Sequence, residues 1–326
     1  MYIEALDLKQ LSDYKKLSDF LVPFGLELDL VDGAYVLYDQ RKWVGCGCKY
    51  RNVLKNFAIA PEYQAQQFLQ PLLQHVKEEA FKQGYLKTFI YTPKSNKALF
   101  ESLYYRLIVE DDEVCLLENG HPSFEDVMKS YETDKRGVTG AIVVNANPFT
   151  FGHQYLIEYA SSRVAALDVF VVEEEASLFN FQTRMQLVKE GVAHLSNVTV
   201  LPSSEYMVSR ATFPTYFLKD EKRVNRHHAQ LDALLFVQGF VSSRHITTRF
   251  FGEEPKDITT KNYMDICAKI LPEHGCNVVI IPRISADETL ISATTVREGW
   301  KRKDWALLEK LVPSSTLTYL TSHEYP

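Results

Sequence analysis

The run from Gly140 to His153 constrains the fold of this chain more than any other feature. Residues 141–145 are largely apolar and typical of a strand, Pro148 marks a turn, and Gly152-His153 begins an amphipathic segment. The run therefore predicts a strand, a tight loop and a helix with a histidine on its first turn. The start of a helix offers unpaired N–H groups and a partial positive charge, which favour phosphate. An imidazole there would add a charge that meets a phosphoryl group as it reacts.

The composition excludes several classes of protein. The chain has 326 residues, which suggests two domains, and its 46% apolar and 24% charged residues are ordinary for a soluble globular protein. No segment reaches the roughly 18 uninterrupted apolar residues of a membrane span, and the N-terminus has no features of a signal peptide. The formal net charge of −6 argues against a nucleic-acid binder. We therefore expect a cytoplasmic protein with no membrane or nucleic-acid partner.

The first third of the chain predicts an α+β domain. Helix-like apolar spacing covers 11–21, 68–83 and 96–105. Strand-like runs are found at 33–38, 42–50, 56–60, 87–91 and 114–117. Between 118 and 136, glycine, proline and a charged run indicate a connecting helix and a linker. We place the boundary near 132, which gives two domains, 1–132 and 133–326.

The rest of the chain alternates strand and helix. Strands are predicted at 141–145, 168–173, 198–201, 245–251 and 277–281. Helices are predicted from 152, over 183–194, 225–240 and 263–271, and as one last helix from 293. Such alternation is typical of a doubly wound parallel sheet, whose ligands bind beyond the carboxyl ends of the strands.

A second motif, Ile291-Ser-Ala-Thr-Thr-Val-Arg297, begins the last predicted helix. Hydroxyl groups at a helix start cap its N–H groups, and the same hydroxyls can bind phosphate. Arg297, one turn further, could hold two phosphate oxygens at once. Simple capping is the more common explanation of such a run taken alone. Its pairing with Gly152-His153 at another strand end favours a phosphate site.

Together the two motifs resemble those of the HIGH-type nucleotidyltransferases, H/T-x-G-H and I-S-S-T-x-x-R. Thr150-Phe-Gly-His153 and Ile291–Arg297 match them, and the resemblance covers about residues 138–326. Thr150 stands where many members have a first histidine. Asn145-Ala-Asn147-Pro replaces the common G-T-F-D-P, which argues against a simple cofactor adenylyltransferase.

As a whole, the chain resembles the citrate (pro-3S)-lyase ligases. The supporting runs are 144–153, 172–177, 209–214, 249–255 and 291–297. The resemblance implies an ATP-dependent acetylation of a thiol on the phosphoribosyl-dephospho-CoA group of the citrate lyase acyl carrier subunit. Acetate, ATP and the thiol would give the acetylated carrier, AMP and pyrophosphate by way of acetyl-AMP.

The same resemblance assigns roles to single residues. His153, with the Gly152 backbone, would match charge on the α-phosphoryl group, and Thr150 and Arg297 complete the catalytic set. The departing pyrophosphate, bridged by Mg²⁺, would be held by Ser292, Thr294, Thr295 and Arg297. The nucleotide-binding set further includes Asn145, Asn147, Phe149, Gly252 and Glu253. Arg210 would meet the acid or a phosphate, although a surface arginine there and an ordinary acidic loop at 252–255 remain open.

No protein-bound metal is predicted. Arg226-His227-His228 suggests metal ligands, but adjacent histidines on a helix point about 100° apart and do not easily share one ion. Cys46 and Cys48 lie in a strand-like run with no second pair, so we expect buried thiols rather than zinc or a disulfide. Three carboxylates at Glu173–Glu175 would repel ATP, so we expect some of them to face solvent.

Residues 56–108 resemble the GNAT acetyltransferase fold. Pro61–Gln64 and Asn96–Tyr104 match segments of that family, but its pyrophosphate loop has three glycines where this chain has Ala65, Gln67 and Leu69. Those glycines let backbone N–H groups approach the CoA pyrophosphate. We therefore expect no acetyl-CoA turnover, and a domain that docks the carrier protein or its CoA-like arm.

Two other functions remain open. One is a nucleotidyltransferase that joins ATP to a phosphorylated cofactor precursor, similar to pantetheine-phosphate adenylyltransferase. The other is a nucleotide-sensing module without catalysis. Acetate-dependent exchange between ATP and pyrophosphate separates these alternatives from an acetate ligase.

Overall fold

The computed structural model describes residues 1–134, 137–173, 177–207, 221–254, 258–286 and 289–325. The chain divides into two compact units. The first comprises Met1–Val127 and Val208–Leu231, and the second comprises Met128–Met207 and Asp232–Pro326. The single boundary near residue 132 stays a prediction. In the structure, a later segment that ends at Leu231 also belongs to the first unit.

The first 130 residues alternate strands with short helices. The elements are β1 (Tyr2–Ala5), α1 (Leu11–Leu21), β2 (Gly33–Asp39), β3 (Lys42–Tyr50), β4 (Val53–Ile59), α2 (Leu69–Lys82), β5 (Lys87–Pro93), α3 (Lys97–Ser102), β6 (Arg106–Glu110), β7 (Val114–Gly120) and α4 (Phe124–Ser130). β1 and β6 are absent from the sequence prediction. They form the two edges of the sheet, and edge strands are short and only partly buried, so their apolar pattern is weak.

Seven strands of this unit form a mixed sheet in the order β1-β2-β3-β4-β5-β7-β6. Neighbours are antiparallel except β4 and β5, which pair in parallel only at Val53–Phe89 and Leu54–Ile90. α1 buries Leu17 and Leu21 on one face, and α2 buries its own apolar stripe on the other. The predicted α+β architecture is confirmed.

The segment before α2 differs from a glycine-rich loop. Pro61–Gln66 form a 3₁₀ helix, and Gln67 has a φ of 56°, in the left-handed region that favours glycine. Gln67 thus carries a side chain at a position where glycine would let a ligand approach the backbone closely.

The second unit contains the predicted βα alternation. Its strands are β8 (Thr139–Val144), β9 (Ala166–Val171), β10 (Val198–Pro202), β11 (Ile246–Gly252), β12 (Asn277–Ile281), β13 (Ser285–Ala286) and β14 (Thr289–Leu290). The helices of this half of the chain are α5 (Phe151–Ser161), α6 (Phe181–Gly191), α7 (Glu221–Phe236), α8 (Ser242–Arg244), α9 (Ile258–Glu273), α10 (Ala293–Arg302), α11 (Trp305–Leu311) and α12 (Ser314–Ser322). The residues of α7 up to Leu231 belong to the first unit. A π-helical turn, Val237–Val241, joins α7 to α8.

Five strands form a parallel sheet in the order β10-β9-β8-β11-β12. The chain builds outward from β8 in one direction and then, from β11, in the other. The order therefore reverses between β8 and β11, which confirms the doubly wound prediction. α5 and α6 pack over a core that includes Ile142, Val169 and Phe149.

The C-terminal region differs from the single predicted helix. α10 ends at Lys303, which has a left-handed φ of 58°, and the Asp304 side chain caps α11 through the Leu307 N–H at 3.2 Å. Pro313 then precedes α12. The apolar spacing continues through all three helices, which is why the sequence pattern alone merges them.

The five cysteines are buried free thiols. Across the part of the chain that the structure describes, no helix combines the length and the apolar character that crossing a membrane requires.

Candidate active site

The loop after β8 lies at the carboxyl edge of the parallel sheet. β8 ends at Val144, and Ala146, which is 1% exposed, turns the chain with a left-handed φ of 49° before the cis bond between Asn147 and Pro148. The loop follows the strand at which the sheet order reverses. Ligands of doubly wound sheets bind at this point, so the first motif occupies a ligand-binding position.

Thr150 and His153 form a reciprocal cap at the start of α5. The Thr150 Oγ1 accepts the His153 N–H at 3.4 Å, and His153 Nδ1 accepts the Thr150 N–H at 3.1 Å. A capping box normally uses Glu or Gln at the later position. Here an imidazole takes that place, so one bond both satisfies the helix start and fixes the ring.

The same bond fixes the tautomer of His153. A backbone N–H can only donate, so Nδ1 is the acceptor and the neutral ring carries its proton on Nε2. Burial, reinforced by the positive charge of Arg283, lowers the pKa of His153 from 6.5 to about 4. The unliganded site therefore offers a neutral N–H donor at neutral pH, and a charged imidazole beside a reacting phosphoryl group stays a prediction.

Phe149 supports the histidine from the core. The Phe149 side chain is fully buried and its ring stacks on His153 at 5.8 Å with an interplanar angle of 20°. A Cβ added to Gly191, at the end of α6, would come within 2.2 Å of the Phe149 ring. Phe149 was predicted to bind nucleotide, but the structure places its side chain as packing beneath His153.

The second motif lies directly against the first. A Cβ added to Gly152 would lie 3.5 Å from the carbonyl oxygen of Ile291. Arg297 Nη1 donates to the main-chain oxygen of Asn147 at 2.6 Å, and Nη2 donates to Thr294 Oγ1 at 2.9 Å. The structure thus brings the starts of α5 and α10 side by side.

Ser292 caps α10. The Ser292 Oγ accepts the Thr295 N–H at 3.1 Å and lies 2.8 Å from Thr295 Oγ1, while Thr294 is exposed. The capping interpretation is thus correct for Ser292. This cap uses only the Thr295 N–H, so phosphate can still bind the other N–H groups at the start of α10, which have no acceptor within the helix.

A further cation, Arg283, follows β12 at the same edge of the sheet. Its Nε donates to the main-chain oxygen of Glu253 at 2.7 Å, and its Nη2 pairs with Glu254. It thereby ties the end of β12 to the Gly252-Glu253 loop after β11. Arg283 is absent from the predicted site, although a basic residue just past a predicted strand was a usable signal.

Sequence analysis also missed Arg184 on α6. Its side chain is fully buried, and its Nη1 donates to Asn145 O and Oδ1, both at 2.8 Å, and to Val172 O at 2.7 Å. Its Nε donates to Phe179 O at 3.0 Å. Arg184 thus fixes the chain after β8 and after β9. Its position on the apolar face shared with Leu187 and Val188 was the available signal.

Some predicted residues lie outside this description. Arg210, Glu174 and Glu175 lie outside the described residues. Glu173 is exposed, and its N–H donates to Ser203 Oγ at 3.0 Å.

The adjacent histidines have different surroundings in the first unit. His227 Nδ1 contacts Asp111 Oδ2 at 2.6 Å, whereas His228 packs against the Tyr91 ring with centroids 5.6 Å apart. Asp111, Asp112 and His227 have potential ligand atoms within 4.8 Å of one another. Arg226 pairs with Asp112 at 3.4 Å, so one carboxylate of this cluster already has a cationic partner.

The geometry favours an anionic ligand with several phosphates. Two helix starts, the Nε2–H of His153 and the guanidinium of Arg297 lie around one loop. Donors fixed before the reaction stabilise developing negative charge without reorganising. The arrangement suits transfer at a phosphoryl group.

Known proteins match the chain over nearly its whole length. Residues 139–320 match the family model of the citrate lyase ligase C-terminal domain. The citrate (pro-3S)-lyase ligase of Klebsiella pneumoniae is 36% identical over 303 residues, covering 90% of this chain and 88% of the relative. The corresponding Haemophilus influenzae ligase is 34% identical over 323 residues, covering 95% and 96%.

Solved structures match with lower similarity. Thermotoga maritima TmcAL bound with alpha-thio ATP has a TM-score of 0.37 and 14% identity, covering 57% of this chain and 55% of its own. The aminoglycoside 6'-N-acetyltransferase of Enterococcus faecium has a TM-score of 0.32 and 13% identity, covering 37% of this chain and 97% of its own. The sequence relatives, together with the family model, identify the chain as a member of the citrate (pro-3S)-lyase ligase family.

Proposed function

We propose that this enzyme uses ATP and acetate to acetylate the thiol of the phosphoribosyl-dephospho-CoA group on the citrate lyase acyl carrier subunit. The products are the acetyl thioester, AMP and pyrophosphate. The names of the relatives support the carrier as partner. The observation that carries the ATP-dependent step is the contact of Arg297 with Asn147, which joins the two phosphate-binding motifs.

In the first step, a carboxylate oxygen of acetate attacks the α-phosphorus of ATP, and the bond to the bridging oxygen of pyrophosphate breaks. The Nε2–H of His153 donates to an α-phosphoryl oxygen, and Thr150 holds the ring in that orientation. The start of α10 and Arg297 receive the charge that grows on pyrophosphate. Acetyl-AMP remains in the site.

In the second step, the carrier thiolate attacks the carbonyl carbon of acetyl-AMP. The carbon–oxygen bond to AMP breaks, and the thiol proton leaves to solvent. No residue becomes covalently modified, so catalysis rests on positioning and charge stabilisation. The donors around the phosphates are imidazole, hydroxyl and guanidinium groups, so Mg²⁺ would enter on the phosphate oxygens of ATP rather than on protein carboxylates.

The remaining assignments form part of the same proposal. Gly252 and Glu253 contact the nucleoside, with Arg283 holding that loop through Glu253. A Cβ on Gly252 would meet only Leu156, at 3.7 Å, so packing does not require glycine there. Arg210 meets the acid or a phosphate.

For the first unit we propose a docking role. Gln67 and Leu69 place side chains where a CoA pyrophosphate would need close backbone approach, which supports docking of the carrier or its CoA-like arm over acetyl-CoA chemistry. Efficient acetyl transfer from acetyl-CoA by the full chain would contradict this role.

The decisive experiment is acetate-dependent exchange of labelled pyrophosphate into ATP. We expect exchange by the wild-type enzyme and a loss of about 10²–10³-fold in His153→Ala, since one preorganised donor is removed. Exchange that needs a phosphorylated precursor instead of acetate would support the nucleotidyltransferase alternative. ATP binding without any exchange would support a sensor. A melting curve of each variant shows that the loss is not unfolding.

A further inference from the structure

The two asparagines of the β8 loop share one hydrogen-bonding pattern. Asn145 Oδ1 accepts from Arg184 Nη1 at 2.8 Å and from Ser177 Oγ at 3.2 Å. Asn147 Oδ1 accepts the main-chain N–H of Phe179 at 3.0 Å. Guanidinium and backbone N–H groups can only donate, so neither amide can be turned around. Each Nδ2 group must therefore point away from these anchors.

Both amide nitrogens are available to a ligand. Within the described residues, neither Nδ2 has a hydrogen-bond partner. Asn145 is exposed and Asn147 is partly exposed. Each amide thus offers two N–H donors at the mouth of the site.

The anchors hold the two amide oxygens on the β9 side of the loop, so the Nδ2 groups face away from that side. Ser177 and Phe179 follow β9, whereas Gly252 and Glu253 follow β11, and β8 lies between these two strands. The phosphates already have the starts of α5 and α10 as donors. The asparagine amides remain for the second substrate.

We propose that the Nδ2 groups of Asn145 and Asn147 bind the carboxylate of the acid substrate and hold one of its oxygens toward the α-phosphorus. The inference rests on the proposed ligase function. It replaces the nucleotide-binding role that the sequence suggested for these two residues.

Neutral donors suit a carboxylate that must act as a nucleophile. An aspartate at either position would repel it, and a lysine or arginine would pair with the attacking oxygen and weaken its nucleophilicity. An amide N–H holds the carboxylate and leaves a lone pair for attack. The buried guanidinium of Arg184 bonds to Asn145 Oδ1, which polarises that amide and makes its N–H groups better donors.

Isosteric substitutions isolate these donors. In Asn145→Asp and Asn147→Asp, a carboxylate oxygen can still accept the anchoring bonds from Arg184, Ser177 or Phe179, and only the NH₂ group becomes an anionic oxygen. We expect the KM for acetate in pyrophosphate exchange to rise about 10- to 100-fold, the usual effect of losing a hydrogen bond to a charged group. The added charge also repels the phosphates, so we expect the Kd for ATP without acetate to rise as well, but by clearly less than the KM for acetate.

Asn180→Asp is the matched control. Asn180 is exposed at the start of α6, where its Oδ1 accepts the Thr183 N–H at 2.9 Å, and aspartate caps a helix equally well. The substitution adds the same charge near the same segment without altering the β8 loop. Its KM for acetate should match the wild type.

The outcomes separate this inference from the function on which it rests. A wild-type enzyme with acetate-dependent exchange, and variants with an unchanged KM for acetate, would overturn the inference alone. So would an equal weakening of ATP and acetate binding. Absence of acetate-dependent exchange in the wild type would overturn both. Binding of ¹³C-acetate in the presence of a non-hydrolysable ATP analogue, followed by NMR, gives a second readout that does not need turnover.

Discussion

The histidine of the first motif is held by the helix that it begins. Because His153 Nδ1 accepts a backbone N–H, protonation of the ring at Nδ1 would break the cap, and burial with Arg283 further disfavours the cation. Between pH 6.5 and about 4 the unfolded chain protonates this residue while the folded one does not. The contribution of His153 to stability is therefore complete above pH 6.5 and falls as the pH drops through that window.

Binding of a triphosphate should reverse part of this effect. Negative charge beside the ring raises the pKa of His153 from about 4, so ATP binding takes up protons at mildly acidic pH. Calorimetry of an ATP analogue in two buffers of different ionisation enthalpy measures that uptake. We expect uptake in the wild type and less in His153→Gln. Equal uptake in both would show that another group titrates.

Arg283 is the second cause of the low pKa, so its removal should raise the pKa of His153. In Arg283→Met we expect NMR titration of the imidazole to give a value above about 4 but below 6.5, since burial, the larger cause, persists. Arg163→Met, at an exposed position just past the end of α5, is the control and should leave the value unchanged. An unaltered pKa of His153 in Arg283→Met would show that the charge of Arg283 does not act on this imidazole.

At the scale of elements, two glycines of the site have opposite roles. Gly191 lets α6 pack against the Phe149 ring, where a Cβ would come within 2.2 Å, whereas a Cβ on Gly152 meets nothing closer than 3.4 Å. Packing of α6 against Phe149 therefore requires glycine at position 191. A Cβ on Gly152 would make only ordinary contacts with Thr150 and Ile291, so packing does not require glycine there.

Alanine substitutions should separate these roles. Gly191→Ala should lower the free energy of unfolding by about 1–3 kcal/mol through overpacking. Gly152→Ala should keep or slightly raise stability, because alanine favours a helix by about 1 kcal/mol, yet it should raise the KM for ATP. Thermal melts and exchange kinetics measure both. Loss of stability in Gly152→Ala would mean that this glycine is structural.

Sequence patterns located the main elements because long apolar stripes define α2, α5 and the parallel strands. They also placed Thr150, His153 and Arg297 at helix starts that the structure brings together. The patterns could not reveal Arg184 and Arg283. Their roles depend on carbonyl groups at Asn145 and Glu253 that are distant in sequence, and a local pattern contains no such pairing.

For the whole molecule, the placement of residues 221–231 in the first unit is the least local feature. His227 and Asp111, with side chains 1% and 5% exposed, form a buried pair across this long sequence separation. Asp111 also accepts the N–H groups of Glu113 and Val114 at 2.8 Å, so it orders the turn between β6 and β7. The pair ties α7 to that turn.

Breaking this pair should destabilise the first unit. We expect Asp111→Ala and His227→Ala each to cost about 1–3 kcal/mol, because each leaves a buried polar partner without its hydrogen bond. The double variant should cost less than the sum, as residues in contact do. Chemical denaturation of the full chain measures the free energy of unfolding of each variant. Lys42→Ala, which breaks the exposed Lys42–Glu62 pair, is the control and should change it little. Additive effects would show that the two side chains do not interact.

The same placement has a consequence for synthesis. A ribosome that has released residue 132 has produced the whole mixed sheet but not the α7 segment that packs beside Asp111. The first unit then stays incomplete, with the turn at Asp111 lacking its contact with α7, until residue 231 has been synthesised. Domains generally fold as units from the N-terminus during translation. In this protein the first unit to begin folding is not complete until the Met128–Met207 part of the second has also been made, so the second can begin to fold before the first is finished.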